Sequence, residues 1–267
     1  MTYVIAWALY ALAGFRPVFI LVAGLLALAW LGIYRYVQDD ETSIEGFAFT
    51  DLAVNRRILT MATFRVQYAV AVTLVRKWVP IFVGVSAAQG GLAYGSVVVG
   101  VVLAAEKFTN MLSQPFTGRL SDRIGRAPFI IVGGSAYGAI GIAYPFISGA
   151  ESIVSVSIPI AGTITGAVVA AVILNGLLGV ADAFREPASM ALFADEGKGE
   201  GIASSIGIRS LLWKPGSVLA PLLGGWLMGA AGIEWVFFVG GATALTGVGT
   251  FVAVLVYRQG PAALAQW

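Results

Sequence analysis

Long apolar runs alternate with short polar or Gly/Pro-rich breaks along this chain. The runs predict membrane-crossing helices near 15–36, 56–87, 92–117, 128–148, 157–182, 201–229 and 235–257. Because a crossing needs about 20 mostly apolar residues to traverse a hydrocarbon core of roughly 30 Å, all of these read as full spans. Residues 2–13 are also apolar but too few to cross, and they read as the tail of a span whose start is missing. The runs are continuous and rich in Leu, Val, Ala and Gly, whereas a transmembrane β-barrel shows segments of about 10 residues that alternate in polarity. The expected fold class is therefore all-α, a polytopic transmembrane helical bundle.

Basic residues fall on alternate connections. Arg35, Arg56 and Arg57 flank one; Arg119, Arg123 and Arg126 the next; then Arg185 and Lys198, and Arg258 after the last span. The opposite connections carry Arg16 alone, and those at 88–91, 149–156 and 230–234 carry no Lys or Arg. Cytoplasmic loops retain Lys and Arg, so the C-terminus is expected in the cytoplasm and the protein in the plasma membrane. The stretch 37–55 breaks the rhythm of short loops with Gln38, Asp39, Asp40, Glu41 and Asp51, and it reads as a cytoplasmic linker. The expected domains are 1–36, the end of a first bundle (a partial span plus one full span); the linker 37–55; a six-helix second bundle at 56–258; and a cytoplasmic tail at 259–267.

Composition narrows the function. The chain is 58% hydrophobic and 11% charged, with a net charge of +2, no Cys and no His. Without thiolate or imidazole there is no disulfide, no Ser-His protease and no zinc site of the usual kind. We expect no metal, no cofactor and no enzyme activity. The basic residues are dispersed in separate loops and give no nucleic-acid footprint. The expected partners are membrane lipid and a small-molecule substrate. Thirty-four glycines suit closely packed membrane helices.

Charge at mid-depth is costly in a membrane and functional by default. Arg76 and Lys77, Glu106 and Lys107, and Lys214 all fall near the middle of spans, with Glu106 read as the one carboxylate there. Glu106, Asn110 and Gln114 recur every four residues and share a helical face. Arg76, Lys77, Glu106, Asn110 and Lys214 are therefore a candidate substrate and proton site, the competing reading being ion pairs that merely staple helices. More cations than carboxylates at this depth favour an anionic or zwitterionic solute. Arg65 is expected to snorkel from near a span end. Asp182, Arg185, Glu186, Pro187, Asp195, Glu196, Lys198 and Glu200 read as a solvated loop, with Gly201, Ser204 and Ser205 opening the next helix.

Two local motifs add to this. Gly118-Arg119-Leu120-Ser121-Asp122-Arg123-Ile124-Gly125-Arg126 places three arginines and an aspartate between apolar runs. Its spacing G-x-L-x-D-R-x-G-R resembles the loop between the second and third helices of each half of major facilitator superfamily transporters. In the span at 201–229, Gly207, Gly216, Pro221, Gly224 and Gly225 form a glycine-and-proline series. It resembles a pattern in the fifth helix of proton-coupled antiporters of that family, with Ala220 where the pattern has glycine. A packing helix kinked at Pro215 and Pro221 explains the same residues.

The family resemblance implies a six-helix half of the facilitator type plus one preceding span, from the end of helix five through helix twelve. It implies secondary active transport by alternating access, with Gly118, Asp122, Arg123, Gly125 and Arg126 as a conformational-switch loop whose aspartate meets a helix N-terminus of the opposite bundle. The expectation is a truncated permease, proton-coupled, for a drug-like or anionic substrate. The alternative is a non-transporting remnant, or a subunit that pairs with a separately encoded N-terminal half.

Overall fold

The computed structural model describes residues 9–10, 12–36, 55–158, 162–196 and 202–267. Its helices are α1 (Phe15–Tyr36), α2 (Arg56–Gly84), α3 (Ser96–Ile124), α4 (Arg126–Ala143), α5 (Gly166–Glu196), α6 (Ile202–Ala230), α7 (Ile233–Gln259) and the short α8 (Ala263–Gln266). A 3₁₀ segment, Tyr144–Ala150, prolongs α4. Then β1 (Ser155–Ile158) and β2 (Gly162–Thr165) pair antiparallel, with Val156 opposite Ile164. The linker expected at 37–55 lies outside the described residues apart from Asn55, whose side chain accepts the Ile58 N–H at 2.8 Å and caps α2.

Among the described residues six helices, α1 to α5 and α7, are long and apolar enough to cross a membrane, α4 by way of its 3₁₀ extension. The sequence reading expected seven. α6 has the length, 29 residues, but Arg209, Lys214, Pro215 and Ser217 dilute its apolar character. The span expected at 157–182 is also displaced. Its first part is the β-hairpin, and the helix runs on through Asp182, Arg185, Glu186 and Pro187 to Glu196. Lys198, Glu200 and Gly201, also expected in that loop and at the next helix start, lie outside the described residues.

α2 sits at the heart of the bundle. It packs on α7 and α6; α3 packs on α5, and α4 fills the back between α5 and α7. Lipid tails are as apolar as Leu, so membrane helices associate through close contact and interhelical hydrogen bonds. Both are present. A Cβ on Gly138 of α4 would stand 2.8 Å from the Gly241 carbonyl of α7, so glycine permits that approach. Between α3 and α5, Thr109 donates to the Gly176 carbonyl at 2.6 Å, Asn175 to that of Val102 at 2.6 Å, and Thr117 to that of Ala183 at 2.6 Å. Aromatic rings of α2, α7 and the 3₁₀ segment close the core, with Phe82 edge-on to Phe237 and Tyr144 stacked on it at 5.1 Å. α1 buries none of its residues.

Candidate functional site

Four helices direct charge to one another. On α2, Arg65 and Arg76 stand three turns apart on one face. On α5, Asp182, Arg185 and Glu186 occupy positions i, i+3 and i+4. α3 contributes Glu106 and Lys107, and α6 contributes Arg209 and Lys214. Arg76 Nη2 lies 2.6 Å from Glu106 Oε1 and 3.0 Å from Asp182 Oδ2. Arg185 Nη2 lies 2.5 Å from Asp182 Oδ1 and 2.5 Å from Glu186 Oε2. Glu186 also pairs with Arg209 and stands 3.8 Å from Arg65 Nη1, while Lys107 reaches Glu106 at 3.2 Å.

The result is a ladder of alternating sign: Arg209 and Arg65, Glu186, Arg185, Asp182, Arg76, Glu106, Lys107. Arg209 is seven residues into α6 and Glu106 ten residues into α3. Those two helices begin at opposite ends of the bundle, so at about 1.5 Å per residue the ladder runs through its depth. Two rings brace it. Trp213 lies 4.3 Å from the Arg65 guanidinium and Tyr68 lies 4.5 Å from that of Arg185, distances at which a ring face attracts a cation.

Several expectations change here. Glu106 is buried as expected, but Asp182 and Glu186 join it inside the spans, so it is one carboxylate of three. Arg65 is buried against α5 and α6 instead of snorkelling. Asn110 turns from the charges to the Gly179 carbonyl, 3.1 Å away, and accepts from Gln114 at 3.0 Å. Lys77 and Lys214 are exposed, and among the described residues neither has a partner. Asp182, Arg185, Glu186, Arg209 and Trp213 are the members that the span reading missed. The signal was present: Ser155-Val156-Ser157 and Thr163-Ile164-Thr165 alternate with the period of a strand, and moving the hairpin out of the helix carries Asp182 into the span.

Two clefts meet at Arg76. One of about 400 Å³ opens between α2, α5 and α6, along Arg65, Arg185, Ser210, Trp213 and Lys214. The other, about 190 Å³, lies between α2 and α3 along Lys77, Leu103, Glu106 and Lys107. Arg76 walls both.

At the end of the bundle, Gly118 to Ile124 continue α3, so the expected loop shrinks to Gly125 at φ 112°. Asp122 is exposed and lies 3.2 Å from Arg126, one turn on, while Arg126 also pairs with Asp195 at the end of α5. Arg123 is exposed, and a Cβ on Gly118 would meet Pro187 of α5 at 3.7 Å. The main-chain oxygen of Trp267 accepts from the N–H groups of Arg126 and Ala127, which open α4. These donors have no partner within their own helix. Ser205, near the start of α6, donates to the Phe193 carbonyl.

The glycine-and-proline series on α6 divides. A Cβ on Gly216 would stand 2.7 Å from that of Ala69, and one on Gly224 would strike the Trp78 ring. Gly207 and Gly225 have nothing within 4 Å of such a Cβ. α6 continues through Pro215 and Pro221, and Pro221 is exposed.

The Major Facilitator Superfamily model matches residues 1–175. The chain belongs to this superfamily of membrane transporters and is a multi-pass membrane protein. Two solved structures share the fold. Both are crystal structures of the peptide transporter POT in complex with sulfate. A Glu-to-Gln mutant aligns with a TM-score of 0.58 and 20% identity over 78% of this chain and 39% of that one. The second aligns with a TM-score of 0.59 and 19% identity over 79% and 39%. The chain thus spans about two fifths of the length of those transporters. No curated protein matches it.

Proposed function

We propose that this chain supplies one bundle, α2 to α7, of a secondary active transporter that moves small solutes by alternating access, with the ion-pair ladder as its working face. The observation that carries the reading is Arg76, whose single nitrogen Nη2 serves Glu106 and Asp182 on two helices between two clefts. A cation at the cleft wall shared in this way can be handed from one carboxylate to the other. A proton taken by the released carboxylate keeps the charge balanced, which supports proton coupling. A bundle facing α2, α3, α5 and α6 would close the clefts, and two such bundles rocking about a central site give alternating access. The Lys/Arg asymmetry supports a plasma-membrane protein with residues 118–127 and the C-terminus in the cytoplasm.

Uptake tests this. Membrane vesicles carrying this chain together with the bundle that faces it are given a pH gradient and a panel of organic anions, amphipathic drugs and sugars. Accumulation of one class, abolished by a protonophore, is the expected result; no accumulation of any class beyond that of empty vesicles overturns the reading.

A further inference from the structure

The larger cleft is built for negative charge. Arg65, Arg76, Arg185 and Lys214 line it against two carboxylates, Asp182 and Glu186. Arg209 adds a further cation behind Glu186. Both carboxylates are committed, Asp182 to Arg76 and Arg185, and Glu186 to Arg185 and Arg209. Donors nevertheless remain. Nη1 of Arg65 and both Nε and Nη1 of Arg185 are buried without a hydrogen-bond acceptor, on side chains only 6% and 2% exposed. An unmatched buried donor carries its full desolvation cost, and surplus positive charge within a membrane span is costlier still. Trp213 covers one face of the Arg65 guanidinium and leaves its N–H groups to act in their own plane, the fork that suits planar or tetrahedral oxyanions over a spherical halide.

Glu186 is the odd member. Its side chain is 31% exposed, against 12% for Asp182 and 4% for Glu106, although Arg185 and Arg209 bind it and Arg65 stands close by. A carboxylate at the cleft wall, bound by arginines that keep spare donors, occupies the seat that an incoming oxyanion would take.

Resting on the transporter reading above, we propose that this cleft binds the carboxylate or phosphate group of a small anionic solute. The anion displaces Glu186 from Arg65 and Arg185 and is steadied by Lys214 at the open side. A cleft of about 400 Å³ falls within the usual range for small-molecule sites, about 300–1,000 Å³.

The test is binding, read without transport. Purified protein in nanodiscs is titrated at constant ionic strength with inorganic phosphate or with succinate, while thermal unfolding and the fluorescence lost in Trp213→Phe are followed. A saturable response to at least one of them, absent with sodium chloride, is expected, and which one responds distinguishes the two oxyanions. Because the native carboxylate is the internal competitor, Glu186→Gln should tighten binding by about three-fold or more, whereas Lys214→Gln should weaken it about tenfold. An equal response to chloride overturns the proposal, as does unchanged or weaker binding in Glu186→Gln. If Glu186→Gln does not fold, Lys214→Gln, at an exposed position, decides: unaltered affinity there overturns it. Uptake of an uncharged solute with no oxyanion response would sink this inference and spare the transporter reading. Oxyanion binding without any uptake would do the reverse.

Discussion

Arg76 and Asp182 meet at 3.0 Å although 106 residues separate them in the chain. Their contact ties α2 to α5 at the point where the two clefts adjoin. Removing Arg76 takes a partner from two buried carboxylates at once, leaving Asp182 to Arg185 alone and Glu106 to the half-exposed Lys107, whereas removing the charge of Asp182 leaves Arg76 on Glu106 and Arg185 on Glu186. Breaking a buried pair from one side costs about 3–5 kcal/mol. Arg76→Gln should therefore lower thermal stability more than Asp182→Asn, and the double variant should recover part of the loss. Strict additivity in that cycle would mean that the contact carries no coupling.

Proton coupling is testable at the same place. Glu106→Gln is expected to abolish accumulation driven by a pH gradient while keeping binding or exchange of substrate. Asp182→Asn, measured beside it, shows whether the second partner of Arg76 shares the task. Normal pH-driven accumulation in both variants would reduce the ladder to a structural staple.

At the Gly125 end, two neighbouring substitutions should separate conformational switching from folding. Asp122 is exposed and its pair with Arg126 lies one turn away, a kind of contact worth about 0.5 kcal/mol or less. Asp122→Asn should leave expression and stability intact and lower transport. Gly125→Ala should do the opposite, losing about 1–3 kcal/mol of stability. Its Cβ would be forced to φ 112° at 2.7 Å from the Ala265 main-chain oxygen. Unchanged transport in Asp122→Asn would leave this segment as a determinant of topology alone.

Packing along α6 yields a clean contrast. Gly216→Val and Gly224→Val drive side-chain atoms into Ala69 and Trp78, so both should impair folding. Gly207→Ala and Gly225→Ala face open space and should be neutral within about 0.5 kcal/mol. The measure is the yield of monodisperse protein after detergent extraction, and equal yields across the four would show that α6 is not held against α2 as described.

Orientation can be read by cysteine labelling, which is clean in a chain with no native Cys. Ser121 is buried and donates to the Gly118 carbonyl, which makes the exposed Arg123 the better reporter. Arg123→Cys and Ser43→Cys should resist an impermeant maleimide added to intact cells, while Ser157→Cys in the hairpin should react. The reverse pattern would invert the topology.

Helix order was legible in the sequence because long apolar runs are a local signal, and glycine and charge at fixed spacing marked the break near Gly125, although residues 118–124 continue the helix instead of forming the expected loop. α5 was misplaced because Val156, Ile158, Ile160 and Ile164 extend its apolar run backwards, although strand alternation and Pro159 mark a separate element. The ladder was half visible for a different reason. Arg76, Glu106 and Lys107 stand out against apolar neighbours. Asp182, Arg185 and Glu186 instead sit near further charge and look like a loop until Arg65, Arg76 and Arg209, far away in sequence, are brought to them.

The β-hairpin lies at the end of the bundle away from Gly125. Its register sets Ser155 across from Thr165 and Ser157 across from Thr163, a hydroxyl-bearing face on a strand-paired frame, and Tyr94 hydrogen-bonds Thr165 at its base. Small transporters offer electron cryomicroscopy little mass outside the detergent belt, and flexible loops make poor handles for antibody fragments. A two-stranded element with an exposed hydroxyl-bearing face that shares no residue with either cleft provides an epitope. A nanobody selected against it would add bulk and a fiducial for particle alignment while leaving the charged face unobstructed.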